Sequence, residues 1–173
     1  GVNYFGAAVS ASGNATFRRC LFAENSLGAG SGACDEYGCA ALNATPASGK
    51  TVTLEDCSIV GNAGGSSGGL VIGTGYSALA GSVILRNCVL GGNTTRFNYR
   101  ELGNTATHSK DITWFLGKTG SITVENCVLG TAPDNLMTDA TVSGTTVGPI
   151  GFVDELAKDF TPVAGSAAFG RGA

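Results

Sequence analysis

Four short stretches of the chain repeat one pattern of apolar and polar positions: GNATFRRCLFAEN (13–25), GKTVTLEDCSIVGN (49–62), GSVILRNCVLGGN (81–93) and GSITVENCVLG (120–130). Phe17, Leu54, Leu85 and Val124 stand three residues before a cysteine, and Phe22, Ile59, Leu90 and Leu129 stand two after it. Alternation at period two predicts strands with one buried face. Each copy opens on a glycine: Gly13, Gly49, Gly81 and Gly120. Three copies close on an asparagine, and the fourth has Ala132 at that position. The segments GAAVSAS (6–12), GLVIGTG (69–75) and DITWFLG (111–117) predict further strands between the copies. No stretch carries sustained helical periodicity with caps. The cysteines are 37, 31 and 39 residues apart. A constant core with variable spacers implies a rigid stacked unit with loops of free length. Each unit is too short to bury its own face, and stacking would build a continuous core, as in a solenoid.

The phrases GAAV…FAEN, IVGN…GGLV and LRNCVLGGN resemble the repeats of right-handed parallel β-helices of the pectate-lyase-like superfamily, and of polymorphic outer-membrane-protein-like repeats. The tail FVDELAKDFTPVAGSAAFGRGA (152–173) resembles the segment that often closes such helices. Ala167 replaces the usual proline there, and Arg171 departs from the usual end. The resemblance implies an all-β fold, a right-handed parallel β-helix of about five rungs starting near 6, 32, 68, 106 and 136. Residues 1–151 would form the rungs and 152–173 the C-terminal cap of the same domain. At roughly 4.8 Å per rung the stack would be about 24 Å tall. The first rung would present an open edge, which is a pairing hazard. Other subunits or domains stacked on that N-terminal rung are the expected partners.

Three columns follow from stacking the copies. Arg18, Glu55, Arg86 and Glu125 alternate in sign, and opposite charges on neighbouring strands attract. Arg19 above Asp56 repeats the idea one column over. This reads as a solvated ladder that fixes register. The resemblance also implies a catalytic alternative. Lyases of this fold use Arg or Lys as the base beside carboxylates that hold calcium, which makes Arg18, Arg86, Glu55 and Asp56 the candidates and Ca²⁺ the cofactor of that alternative alone. The main reading carries no cofactor and no metal. Cys20, Cys57, Cys88 and Cys127 stack as small buried hydrophobes, close enough for pairing without requiring it. An in-line column is not tetrahedral, which argues against zinc. Asn25, Asn62 and Asn93 form the third column, with side chains that can bond to each other and to the backbone.

Composition sharpens this picture. Twenty-eight glycines would suit a disordered chain, but 43 % hydrophobic and only 13 % charged residues do not. The net charge of −3 lacks the basic footprint of a nucleic-acid binder. No apolar run is long enough to span a membrane. Cys34 and Cys39, in the loop CDEYGC outside the repeat, predict a local disulfide and an oxidising compartment. Asn14, Asn43 and Asn93 stand in N-glycosylation sequons, Asn43 first among them because LNATPASGK reads as a loop. One stretch, 96–114, departs from the small uncharged norm. Its Arg96, Phe97, Tyr99, Arg100 and Trp114 are the mix that interfaces prefer. The only histidine, His108, has no nucleophile beside it by motif. The expectation is a non-catalytic extracellular or cell-surface module, structural or adhesive, part of a fibre, appendage or larger assembly. The alternative is a carbohydrate-active β-helix, a polysaccharide lyase or glycan-binding module, with glycans as its partner.

Overall fold

The computed structural model describes residues 8–26, 41–65, 67–73, 79–95, 111–114, 119–133, 136–157 and 159–168. Strands form where the repeat alternates. A first pass of the chain lays down β1 (Val9–Ala11), β2 (Ala15–Arg18) and β3 (Leu21–Ala23). A second adds β4 (Leu42–Ala44), β5 (Thr51–Glu55), β6 (Ser58–Val60) and the short β7 (Ala63–Gly64). A third adds β8 (Leu70–Ile72), β9 (Ser82–Arg86), β10 (Val89–Gly91) and β11 (Thr94–Thr95). A fourth adds β12 (Ile112–Trp114), β13 (Ser121–Glu125) and β14 (Val128–Leu129). The last pass holds a one-turn helix, α1 (Leu136–Asp139), then β15 (Thr141–Ser143) and β16 (Thr146–Val147). The chain ends on β17 (Phe152–Asp154) and β18 (Asp159–Pro162).

Like strands from successive passes pair, always in parallel. They form sheets β1-β4-β8-β12, β2-β5-β9-β13-β15 and β3-β6-β10-β14-β16, with β7 beside β11. The fold is therefore all-β, built of stacked parallel sheets. The register follows the repeat: Phe17, Leu54, Leu85, Val124 and Val142 fall in line, as do Phe22, Ile59, Leu90 and Leu129. Leu54, Leu85, Ile59, Leu90 and Leu129 are fully buried, together with Leu42, Leu70, Ile72, Ile112 and Trp114 from the first sheet. One core thus runs through all passes.

Two corners recur, one in all five passes and one in the first three. Between the second and third sheets, Arg19, Asp56, Asn87, Asn126 and Gly144 all take left-handed backbone, φ between 51° and 58°. The second bend, before the asparagine column, uses Glu24, Gly61 and Gly92 at φ of 60° to 66°. Asn and Asp tolerate this conformation better than most residues. The position that spacing alone presents as a charge column is therefore first a conformational one. Among the described residues Arg19 makes no ion pair, and Asp56 Oδ1 accepts from Asn87 Nδ2 at 3.0 Å.

Two placements differ from what the sequence suggests. LNA (42–44) is a strand in mid-sheet, because Leu42 and Ala44 turn inward and are fully buried. In the last pass α1 takes the place of a first-sheet strand. The antiparallel β17–β18 hairpin lies against the glycines Gly61, Gly91 and Gly92 at the end of the third-sheet strands. A side chain at Gly61 would meet the Phe160 ring, and one at Gly92 or Gly91 would meet Phe152 or Ile150. The bare glycine column is the floor on which the Phe152 and Phe160 rings, edge to face at 5.4 Å, sit.

Candidate functional site

The asparagine column is a directed hydrogen-bond chain inside the stack. The N–H and Nδ2 of Asn25 both donate to Asn62 Oδ1, at 2.9 Å each. Asn62 repeats this with Asn93 Oδ1 at 3.0 and 2.8 Å. Asn93 repeats it with Asp111 Oδ1 at 3.3 and 2.7 Å. Each inner Nδ2 also donates to a carbonyl of the pass before, Phe22 for Asn62 and Ile59 for Asn93. The left-handed residue just ahead of each Asn turns its side chain inward, and Asn62 and Asn93 are buried.

Asp111 ends this chain. It stands in for the asparagine that the fourth copy lacks at Ala132. A carboxylate accepts on both oxygens, so it can meet donors arriving from two sides. Thr131 N–H and Oγ1 donate to its Oδ2 at 2.6 and 2.8 Å. Burial holds the Asp111 carboxyl above the ordinary carboxylate range, against the opposing pull of the Asn93 and Thr131 donors. The folded chain therefore keeps that proton to higher pH than an unfolded aspartate does. Stability contributed by Asp111 falls as pH rises from the ordinary carboxylate range through the folded value.

The charged column lies on the outer face of the second sheet. Arg18 Nε meets Glu55 Oε2 at 2.6 Å, and Arg86 Nε meets Glu125 Oε2 at 2.6 Å. Of the four candidates of the catalytic alternative, Arg18, Glu55 and Arg86 fall in one column of the second sheet, and Asp56 lies one residue past Glu55, at the corner. The Glu125 carboxylate, bonded to Arg86, pushes that guanidinium pKa further up. Among the described residues, no three His, Cys, Asp or Glu side chains group closely enough to hold a metal ion.

The four repeat cysteines, Cys20, Cys57, Cys88 and Cys127, are free thiols in one corner line, continued by Thr145. Each Sγ reaches the carbonyl two residues back: Arg18, Glu55, Arg86 and Glu125. Cys57 and Cys88 also reach Phe17 and Leu54 of the pass before, at 3.4 and 3.5 Å. Contact with the Cys88 thiol and burial push Cys57 well above the usual thiol range. Contact with Cys127 pushes Cys88 up to about 12, and the same contact holds Cys127 down. Cys57, Cys88 and Cys127 are buried and Cys20 is half-buried. Thiolates, not thiols, react with alkylating agents. Brief iodoacetamide treatment of native protein is expected to modify Cys20 well ahead of the other three. Peptide mapping checks this, and equal labelling of all four would contradict the burial.

Other sequence candidates separate. Asn43 lies in β4 at 3 % exposure, its Oδ1 buried without a partner, and Asn93 Nδ2 is committed to the ladder. Neither can carry a glycan in the folded chain. Asn14 is exposed, with its Oδ1 accepting from Thr51 N–H. Trp114 is no contact residue: it is fully buried, and its Nε1 donates to Asp139 Oδ2 at 3.2 Å. Cys34, Cys39, Arg96, Phe97, Tyr99, Arg100 and His108 lie outside the described residues. No helix among the described residues is long and apolar enough to cross a membrane. Comparison of the chain with protein-family models, with curated proteins and with solved structures gives no match.

Proposed function

We propose that the chain is a segment of right-handed parallel β-helix that serves as a non-catalytic structural or adhesive module outside the cell. Its work is to stack. The observation that carries this reading is the destination of the repeat's polar groups. Asn25, Asn62, Asn93 and Asp111 bond from pass to pass, and Arg18 and Arg86 each hold a glutamate of the next pass. The resemblance of the repeats to right-handed parallel β-helices supplies the handedness. The predicted Cys34–Cys39 disulfide supplies the oxidising, extracellular setting.

The lyase alternative asks an arginine to act as a base. A general base must give up its proton near working pH. The Glu125 carboxylate moves Arg86 the opposite way. A panel of uronic-acid polysaccharides, with and without Ca²⁺, is therefore expected to yield no unsaturated product. Product that forms with the chain and disappears on Arg86→Ala would overturn the reading.

A further inference from the structure

We infer that Cys88 and Cys127 form a two-coordinate site for a soft univalent cation of the Cu(I) class, seated between their sulfurs inside the stack. The inference goes beyond the stacking reading above, which gives these buried thiols no task.

The repeat puts the thiols in line. Arg86 pairs with Glu125 two residues before the cysteines, and Val89 pairs with Val128 one residue after them. The cysteines therefore hold equivalent positions in neighbouring strands. Their side chains also point the same way along the column. Cys57 and Cys88 each reach the carbonyl two residues back and one of the pass before. Thr145 Oγ1 reaches the same two kinds of carbonyl, Ser143 and Val124, at 3.2 and 3.3 Å. Cys127 stands between Cys88 and Thr145. Its Sγ reaches Glu125 O at 3.3 Å and accepts from Cys88 N–H at 3.4 Å, just as Thr145 Oγ1 accepts from Cys127 N–H. Side chains in one orientation on in-register strands repeat at the strand spacing, so the two sulfurs are about 4.8 Å apart.

A point midway between them is then about 2.4 Å from each, close to an ordinary metal–thiolate bond of about 2.3 Å. Soft thiolate ligands select Cu(I). That closed-shell ion takes two of them in a straight line without a third. An in-line pair of sulfurs offers neither the four-ligand shell of zinc nor the oxygen shell of calcium. The surroundings suit a soft ion as well. Cys88 and Cys127 are 0 % and 1 % exposed, so water does not compete for it. Binding releases two S–H protons, forms two S–Cu bonds and leaves one negative charge on the S–Cu–S unit. Cys88 N–H already points at Cys127 Sγ to meet part of that charge. Contact with Cys88 also holds the Cys127 thiol below its ordinary range, so it gives up its proton the more readily.

The site needs adjacent thiols, and two variants separate adjacency from thiol number. Both carry Cys34→Ser and Cys39→Ser. The first adds Cys20→Ser and Cys57→Ser, which keeps the neighbours Cys88 and Cys127. The second adds Cys57→Ser and Cys127→Ser, which keeps Cys20 and Cys88 on strands that are not neighbours. Thr145 shows that the column accepts a hydroxyl. Each reduced protein is titrated under nitrogen against Cu(I) held by the coloured chelator bathocuproine disulfonate. The first variant is expected to withdraw one Cu(I) per chain, with at least tenfold higher affinity than the second. X-ray absorption of the chain with all four repeat cysteines intact, loaded with less than one Cu(I), should show two sulfur neighbours and no nitrogen or oxygen. Equal withdrawal by both variants, or by neither, would overturn the inference. So would a copper shell of three or four ligands, a result that decides the matter even if a variant does not fold.

Discussion

Asn93→Leu is expected to lower the unfolding free energy by at least about 3 kcal/mol, because it leaves several buried polar groups without partners at once. Leucine has nearly the same shape but no amide. Asn62 N–H would lose its acceptor, Ile59 O its donor, and Asp111 Oδ1 its closest donor at 2.7 Å. All of this happens at a site only 2 % exposed, where water cannot make up the loss. A loss of that size is a large fraction of what holds a small domain together. Asn25→Leu provides the contrast. Asn25 is half-buried at the ladder's end, and its removal leaves Asn62 Oδ1 still bonded to the N–H of residue 25. The expected cost is about 1 kcal/mol. Urea denaturation of the two variants measures the difference. Equal midpoints would mean that the column contributes nothing as a ladder.

Gly61→Ala is expected to release the β17–β18 hairpin. Gly61 sits at φ +65°, and a Cβ there would lie 2.5 Å from Phe160 Cζ and 2.8 Å from Cε1. The left-handed backbone alone costs a non-glycine residue roughly 1–2 kcal/mol. Displacing the Phe160 ring adds to this, for a total near 3 kcal/mol. A lone two-stranded hairpin is marginal in water, so it should not survive without its floor. Gly49→Ala separates the two causes. Gly49 has φ +70° but open space where its Cβ would go, so only the backbone cost applies. Amide exchange should show protection lost across 152–162 in the Gly61 variant, with the asparagine ladder still protected. In the Gly49 variant the hairpin should stay protected. Loss of protection in both would place the hairpin's support elsewhere.

The stack was largely legible because one demand was met by one kind of residue at each position. Leu54, Leu85 and Val124 must face the same core, so period-two spacing finds them and their register. The Arg–Glu column was legible for the same reason. The corner column was not. Arg19, Asp56, Asn87 and Asn126 meet a single conformational demand with three different residue types, and nothing in their chemistry announces a shared φ. Asp111 was hidden because it joins the ladder from the start of β12, whereas the other members follow β3, β6 and β10. The gap at Ala132 was the one hint that another group had to close the column. Asn43 reads as a loop residue because of the Ala-, Pro- and Ser-rich stretch after it, while the short inward pair Leu42 and Ala44 is enough to hold a mid-sheet strand. Trp114 looked like a contact residue by type. Its ring fills the core, and Asp139 of α1 satisfies its one polar atom.

The repeat's asparagines bond to one another through the stack. Side-chain amide resonances of selectively ¹⁵N-asparagine-labelled protein test it most directly. Slowly exchanging Nδ2 protons are expected for Asn62 and Asn93, with nuclear Overhauser contacts linking Asn25 to Asn62 and Asn62 to Asn93. Side-chain amides that exchange at the rate of free asparagine, with no contact between these residues, would contradict it.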